Sequence, residues 1–109
     1  RDAGIALTAA EGEGIEIVLV SMGAKGLLGV TKDEAYLAVP PQVQVVSQVG
    51  AGDSALAGFI YAFTNKKSFR ESLILGAAAG TAAVLTPGTT LCKKGDVERI
   101  KKEIRIEKY

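Results

Sequence analysis

The sequence predicts an α/β fold, and three stretches carry that prediction. Ile15-Glu16-Ile17-Val18-Leu19-Val20 is a β-branched run bounded by glycine. It reads as a strand buried on both faces after its first residues, as in a parallel sheet. Val46-Ser47-Gln48-Val49 runs into the turn Gly50-Ala51-Gly52, Asp53 follows at once, and an almost wholly apolar helix begins. Gly76-Ala77-Ala78-Ala79-Gly80-Thr81-Ala82-Ala83-Val84 then forms the second half of a helix with unusually small side chains.

Composition sets the outer bounds. The 109 residues suffice for one small domain with a real core. Hydrophobic content of 48% against 23% charged residues marks a globular chain. A net charge of +1 argues against a nucleic-acid surface. No stretch reads as a membrane span or a secretory leader. The single cysteine, Cys92, makes no internal disulfide and fits a reducing, cytoplasmic setting. With no histidine, Ser-His-Asp and Cys-His catalysis and histidine-based zinc sites are excluded.

Taken in order, Arg1 to Ala10 reads as the end of a helix, and Glu11-Gly12-Glu13-Gly14 as a turn. After the Ile15–Val20 strand comes Ser21-Met22-Gly23-Ala24-Lys25-Gly26. This is either a hairpin loop or a loop at the end of a parallel strand, where α/β folds place ligands. Leu27 to Thr31 and Ala35 to Val39 read as strands joined by the polar turn Lys32-Asp33-Glu34. Pro40-Pro41 ends the second, and the alternation Gln42-Val43-Gln44-Val45-Val46 predicts a short edge strand.

Ala55 to Phe63 is apolar nearly all round and reads as a buried helix. Ser68 and Glu71 have the spacing of a capping box for a helix over about Phe69 to Leu85. On that helix Gly76, Gly80 and Ala83 share one face. They suit close helix packing or a flat ligand. Thr86-Pro87-Gly88 stops the helix, Asp96 caps a last short helix with Val97 and Ile100 inward, and Ile104-Arg105-Ile106 adds a final strand.

The chemistry concentrates around Asp53. A turn feeding a helix start leaves N–H groups without partners, and the helix dipole there favours an anion, above all a phosphate. Asp53 is the only carboxylate between Glu34 and Glu71. Beside a phosphate it is unfavourable unless it serves the reaction, for example by taking a proton from an attacking hydroxyl. The plainer reading is an N-cap on a tight turn.

These residues also carry a resemblance. Val49-Gly50-Ala51-Gly52-Asp53-Ser54, with Gly58-Phe59 following, resembles the signature near the C-terminus of the ribokinase-like (pfkB) carbohydrate kinases. The Ser47–Ser54 version most resembles the branch acting on sugar phosphates, such as 1-phosphofructokinase and tagatose-6-phosphate kinase. The likeness runs from about Ile15 to about Arg99, and Ser21–Gly26 resembles the S/T-x-G-x-x-G segment that holds ATP in this family.

The resemblance implies the C-terminal part of a three-layer α/β fold with a mostly parallel sheet flanked by helices. Residues 1–109 would be a single nucleotide-binding segment of a longer sugar kinase, inactive by itself. The implied reaction is phosphoryl transfer from ATP, with Mg2+, to a sugar phosphate hydroxyl. Fructose 1-phosphate is preferred, and tagatose 6-phosphate or fructose 6-phosphate come next. Asp53 would be the base, facing the sugar, with Gly50, Ala51 and Gly52 in the anion hole. Ser21, Gly23, Lys25 and Gly26 would hold ATP, and Gly76, Gly80 and Ala83 would line the adenine pocket. No metal ligand falls in this segment, and the full-length protein would be a homodimer. The alternative from another class is a non-catalytic α/β interaction domain that keeps the glycine turn for structure.

Overall fold

The computed structural model describes residues 6–10, 16–45, 51–85 and 94–109. Five strands form one sheet: β1 (Ala6–Ala10), β2 (Glu16–Ser21), β3 (Leu27–Val30), β4 (Ala35–Val39) and β5 (Arg105–Lys108). The helices among the described residues are α1 (Ala51–Thr64), α2 (Phe69–Ala83) and α3 (Lys94–Lys101). The strands lie side by side in chain order. Register is set by pairs such as Leu19 with Gly29, Leu27 with Ala38, and Ala38 with Ile106.

Among the described residues all four pairings are antiparallel, so the strands of this segment differ from the mostly parallel sheet expected of the fold as a whole. For β2–β3 and β3–β4 the reason is loop length. Met22–Gly26 and Thr31–Glu34 are hairpin connections, whereas a parallel crossover takes a dozen or more residues. Ala6–Ala10 is a strand and not a helix end. Alanine is the best helix former, but propensity is a weak preference that tertiary context overrides, and here a full ladder against β2 runs from Ala6 with Val20 to Ala10 with Glu16. Residues 42–45 form no edge strand. Pro40 and Pro41 supply no N–H donor, and the place beside β4 is taken by β5.

Burial follows the pleat. Ile17 and Leu19 of β2 are buried, whereas Val18 and Val20 are half-buried, so this strand is not equally enclosed on both faces. α1 and α2 cover the face carrying Ile17, Leu19, Leu27 and Ala38, and bring Ala55, Phe59, Leu73 and Ala77 onto it. Phe59 sits at the centre of an aromatic cluster, 5.5 Å from the Phe63 ring and 6.0 Å edge-on to Phe69. α3 lies behind α2, where Ile100 packs with Ala78 and Ala82. Asp96 is inside its first turn and pairs with Arg99 at 3.1 Å; it is not the residue before the helix.

α1 is apolar nearly all round but not buried all round. Ala55, Phe59 and Ala62 make its inner stripe, whereas Ile60 and Tyr61 are 45% and 66% exposed. The sheet and α2 enclose only one side of the cylinder. α2 starts as its sequence dictates. The Ser68 hydroxyl accepts from the Glu71 N–H at 3.0 Å, and the Glu71 carboxylate accepts from the Ser68 N–H at 3.4 Å. Ser68→Ala removes half of this box and is expected to cost about 0.5–2 kcal/mol in urea unfolding. An unchanged midpoint and slope would show that the tertiary contacts of α2 make the cap redundant.

Candidate active site

α1 begins at Ala51, so Gly52 and Asp53 belong to its first turn. The sequence reading began the helix at Ala55. The N–H groups of Ala51, Gly52 and Asp53 therefore precede the first position at which an intrahelical acceptor exists. Ala51 and Gly52 are half-buried and Asp53 is exposed. The helix continues through Thr64, long enough for its dipole to favour negative charge at this end. The arrangement presents several backbone donors with one accessible carboxylate among them. Gly50, placed in the same turn from the sequence, lies outside the described residues.

The second segment is the loop between β2 and β3. Ser21 is the last residue of β2, and Gly23–Lys25 form one 3-10 turn. The loop is closed by its own backbone: the Met22 N–H donates to Gly26 O at 2.8 Å, Lys25 N–H to Met22 O at 3.1 Å, and Gly26 N–H to Gly23 O at 3.0 Å. Those three donors are therefore engaged within the loop, and Gly23, Ala24 and Lys25 form its exposed rim. Gly23 adopts φ +60 with open space where a Cβ would stand. Gly26 is different. It is buried at φ +118, and a Cβ would run into the Ala38 carbonyl oxygen. Its close approach is to β4 of its own chain. Ala24 shares the rim, and an alanine carries no chemical signal that would mark it in the sequence.

The third group lies on α2. The space in front of Gly76 is filled: a Cβ there would stand 2.8 Å from the Ala55 carbonyl oxygen and 3.0 Å from a Leu27 methyl. In front of Gly80 it would stand 3.0 Å from the Ala55 Cβ and 3.2 Å from the Ala51 carbonyl oxygen. Ala83 is buried. The glycines thus face α1, the packing alternative that the pattern allowed. Two consequences follow for the site. Gly80 is brought against the first turn of α1. Gly76 touches Leu27, the residue next to Gly26, so α2 links the loop end to α1 through direct contact.

Among the described residues, no group of three or more His, Cys, Asp or Glu converges. No helix among them is long and apolar enough to cross a membrane.

Comparison with known proteins gives the family and the fold. The chain is 40% identical over 95 residues to a 1-phosphofructokinase of Borreliella burgdorferi, covering 86% of this chain and 30% of that protein. It is 41% identical over 83 residues to the ATP-dependent 6-phosphofructokinase isozyme 2 of Escherichia coli, covering 76% of this chain and 27% of that protein. The crystal structure of phosphofructokinase-2 from Escherichia coli in complex with potassium superposes with a TM-score of 0.74 at 39% identity, over 78% of this chain and 28% of that one. The fold is accordingly that of the ribokinase-like kinases, and the chain spans less than a third of the length of these relatives. The model of the pfkB family carbohydrate kinases matches residues 2–95, a span that includes the sequence Gly50-Ala51-Gly52-Asp53, and the chain belongs to this family.

Proposed function

We propose that this chain supplies the phosphoryl-transfer end of an ATP-dependent sugar phosphate kinase, with fructose 1-phosphate as the preferred acceptor. The observation that carries the reading is the first turn of α1, where backbone donors with no acceptor inside their own helix and the exposed carboxylate of Asp53 stand together. It is supported by relatives named 1-phosphofructokinase and ATP-dependent 6-phosphofructokinase.

In this reading Asp53 accepts the proton of the sugar hydroxyl. The N–H groups of Ala51, Gly52 and Asp53 bind the charge on the group in transfer; fixed donors of this kind are worth about 3–4 kcal/mol each in other enzymes. The exposed backbone of Gly23 and Ala24, with Ser21 and Lys25 beside it, faces the rest of the nucleotide. ATP, when bound, supplies the phosphoryl group. Magnesium accompanies ATP in such transfers. The full-length protein works as a homodimer in the cytoplasm.

The test is a coupled assay of the full-length protein with Mg·ATP and fructose 1-phosphate, tagatose 6-phosphate or fructose 6-phosphate. The expected result is turnover with all three suppressed by Gly52→Val, and the highest kcat/KM for fructose 1-phosphate. A higher value for either other sugar moves the substrate assignment. Absence of turnover with all three overturns the kinase reading and leaves the interaction domain.

A further inference from the structure

We propose that Gly80 is a positioning residue for phosphoryl transfer, acting through the first turn of α1; this rests on the functional reading above. The observation is a contact. A methyl group on Gly80 would stand 3.2 Å from the carbonyl oxygen of Ala51 and 3.0 Å from the Ala55 Cβ. Separations that tight require the neighbour to move by a few tenths of an ångström. The neighbour on one side is the backbone of Ala51, whose own N–H belongs to the proposed anion cradle. Peptide planes in one helical turn move together, so pushing that carbonyl tilts the donors. Gly80 is half-buried and touches no reacting atom in this reading; it sets where α1 begins relative to α2.

The same helix pair contains its own control. Gly58 is crowded at least as closely: a Cβ there would stand 3.0 Å from the Ala79 Cβ, 3.1 Å from the Leu75 carbonyl oxygen and 3.2 Å from the Gly76 Cα. Gly58 meets α2 further along α1, beyond the turn that holds Asp53. A role confined to packing predicts that Gly58→Ala and Gly80→Ala behave alike. A positioning role predicts that only Gly80→Ala harms the chemical step.

The experiment uses the full-length protein and reads kcat, the KM for ATP and the melting temperature of each variant. Misplacing reacting groups by about 1 Å can cost about a hundred-fold, so a shift of a few tenths is expected to lower kcat of Gly80→Ala roughly ten-fold or less. The KM for ATP stays near the wild-type value, and Gly58→Ala retains wild-type kcat while both variants melt earlier by similar amounts. Wild-type kcat in Gly80→Ala, or an equal loss in Gly58→Ala, overturns the proposal. Should Gly80→Ala fail to fold, Ala55→Gly/Gly80→Ala removes the nearer crowding and keeps the contact with Ala51. Depressed kcat in that pair supports the proposal and wild-type kcat overturns it. An inactive wild-type protein sinks the kinase reading, and this inference with it. An active wild type with an unaffected Gly80→Ala sinks this inference alone.

Discussion

Asp53→Asn is expected to lower kcat by about 10²–10⁴-fold in the full-length protein, the usual worth of a positioned general base. The amide keeps the size of the carboxylate and occupies the same exposed place in the first turn of α1. It cannot accept the sugar proton. Folding changes little, because an exposed acid near a helix N-terminus contributes only about 0.3–1 kcal/mol through the dipole. ATP affinity holds or rises, since the variant removes a negative charge from beside the polyphosphate. The measurement pairs a steady-state assay with calorimetric titration of Mg·ATP. Loss of kcat with retained binding identifies the base. Turnover within a few-fold of wild type would leave Asp53 as a helix-terminal charge and nothing more.

Gly26→Ala is expected to be the most damaging substitution for the fold. At φ +118 an L-residue is strained by about 1–3 kcal/mol, and forcing an extra carbon into a filled site adds a further ~1–3 kcal/mol. The obstacle is rigid. The Ala38 carbonyl belongs to β4, held between β3 and β5, and Pro40 Cδ would lie 3.3 Å away. The sum, about 2–6 kcal/mol, reaches the lower end of the stability of a typical domain, about 5–15 kcal/mol. Gly23→Ala offers the comparison: its φ of +60 carries a cost of about 1–2 kcal/mol, and nothing stands within 4 Å of the added carbon. Thermal melts of the two variants should differ widely. Equal melting temperatures would mean that the β2–β3 loop relaxes away from β4.

Local signals were readable in the sequence. The Ser68–Glu71 box is a four-residue pattern whose partners are neighbours in the chain, and α2 starts where it says. Residues whose partner is distant were harder. Gly76 and Gly80 announced a close neighbour, but only the fold shows that the neighbour is Ala55 and Ala51 of α1. Leu7 and Ala9 alternate with Ala6 and Thr8, yet the alanines around them suggested a helix until β2 supplied a ladder. The start of α1 was missed for a chemical reason. Gly52 is a poor helix former, so Gly50-Ala51-Gly52 reads as a turn, whereas the structure already has helix at Ala51. The exposed side of α1 was misjudged because periodicity reports which residues are apolar and not how many faces the surrounding chain covers.

The contact between Gly26 and the Ala38 carbonyl also bears on how this segment can diverge. Every single-base change in a glycine codon that alters the amino acid without ending the chain introduces a residue with a Cβ. At Gly26 each such change meets the same backbone oxygen. The position has no mutational neighbour that fits, so exchange there requires β4 to move first. Gly23, with free space around it, has no such barrier and is open to drift toward asparagine or aspartate, the side chains that tolerate a left-handed backbone. Two glycines in one short loop thus differ in what the fold asks of them: one is fixed by its neighbour, and the fold holds the other only through its own torsion angle.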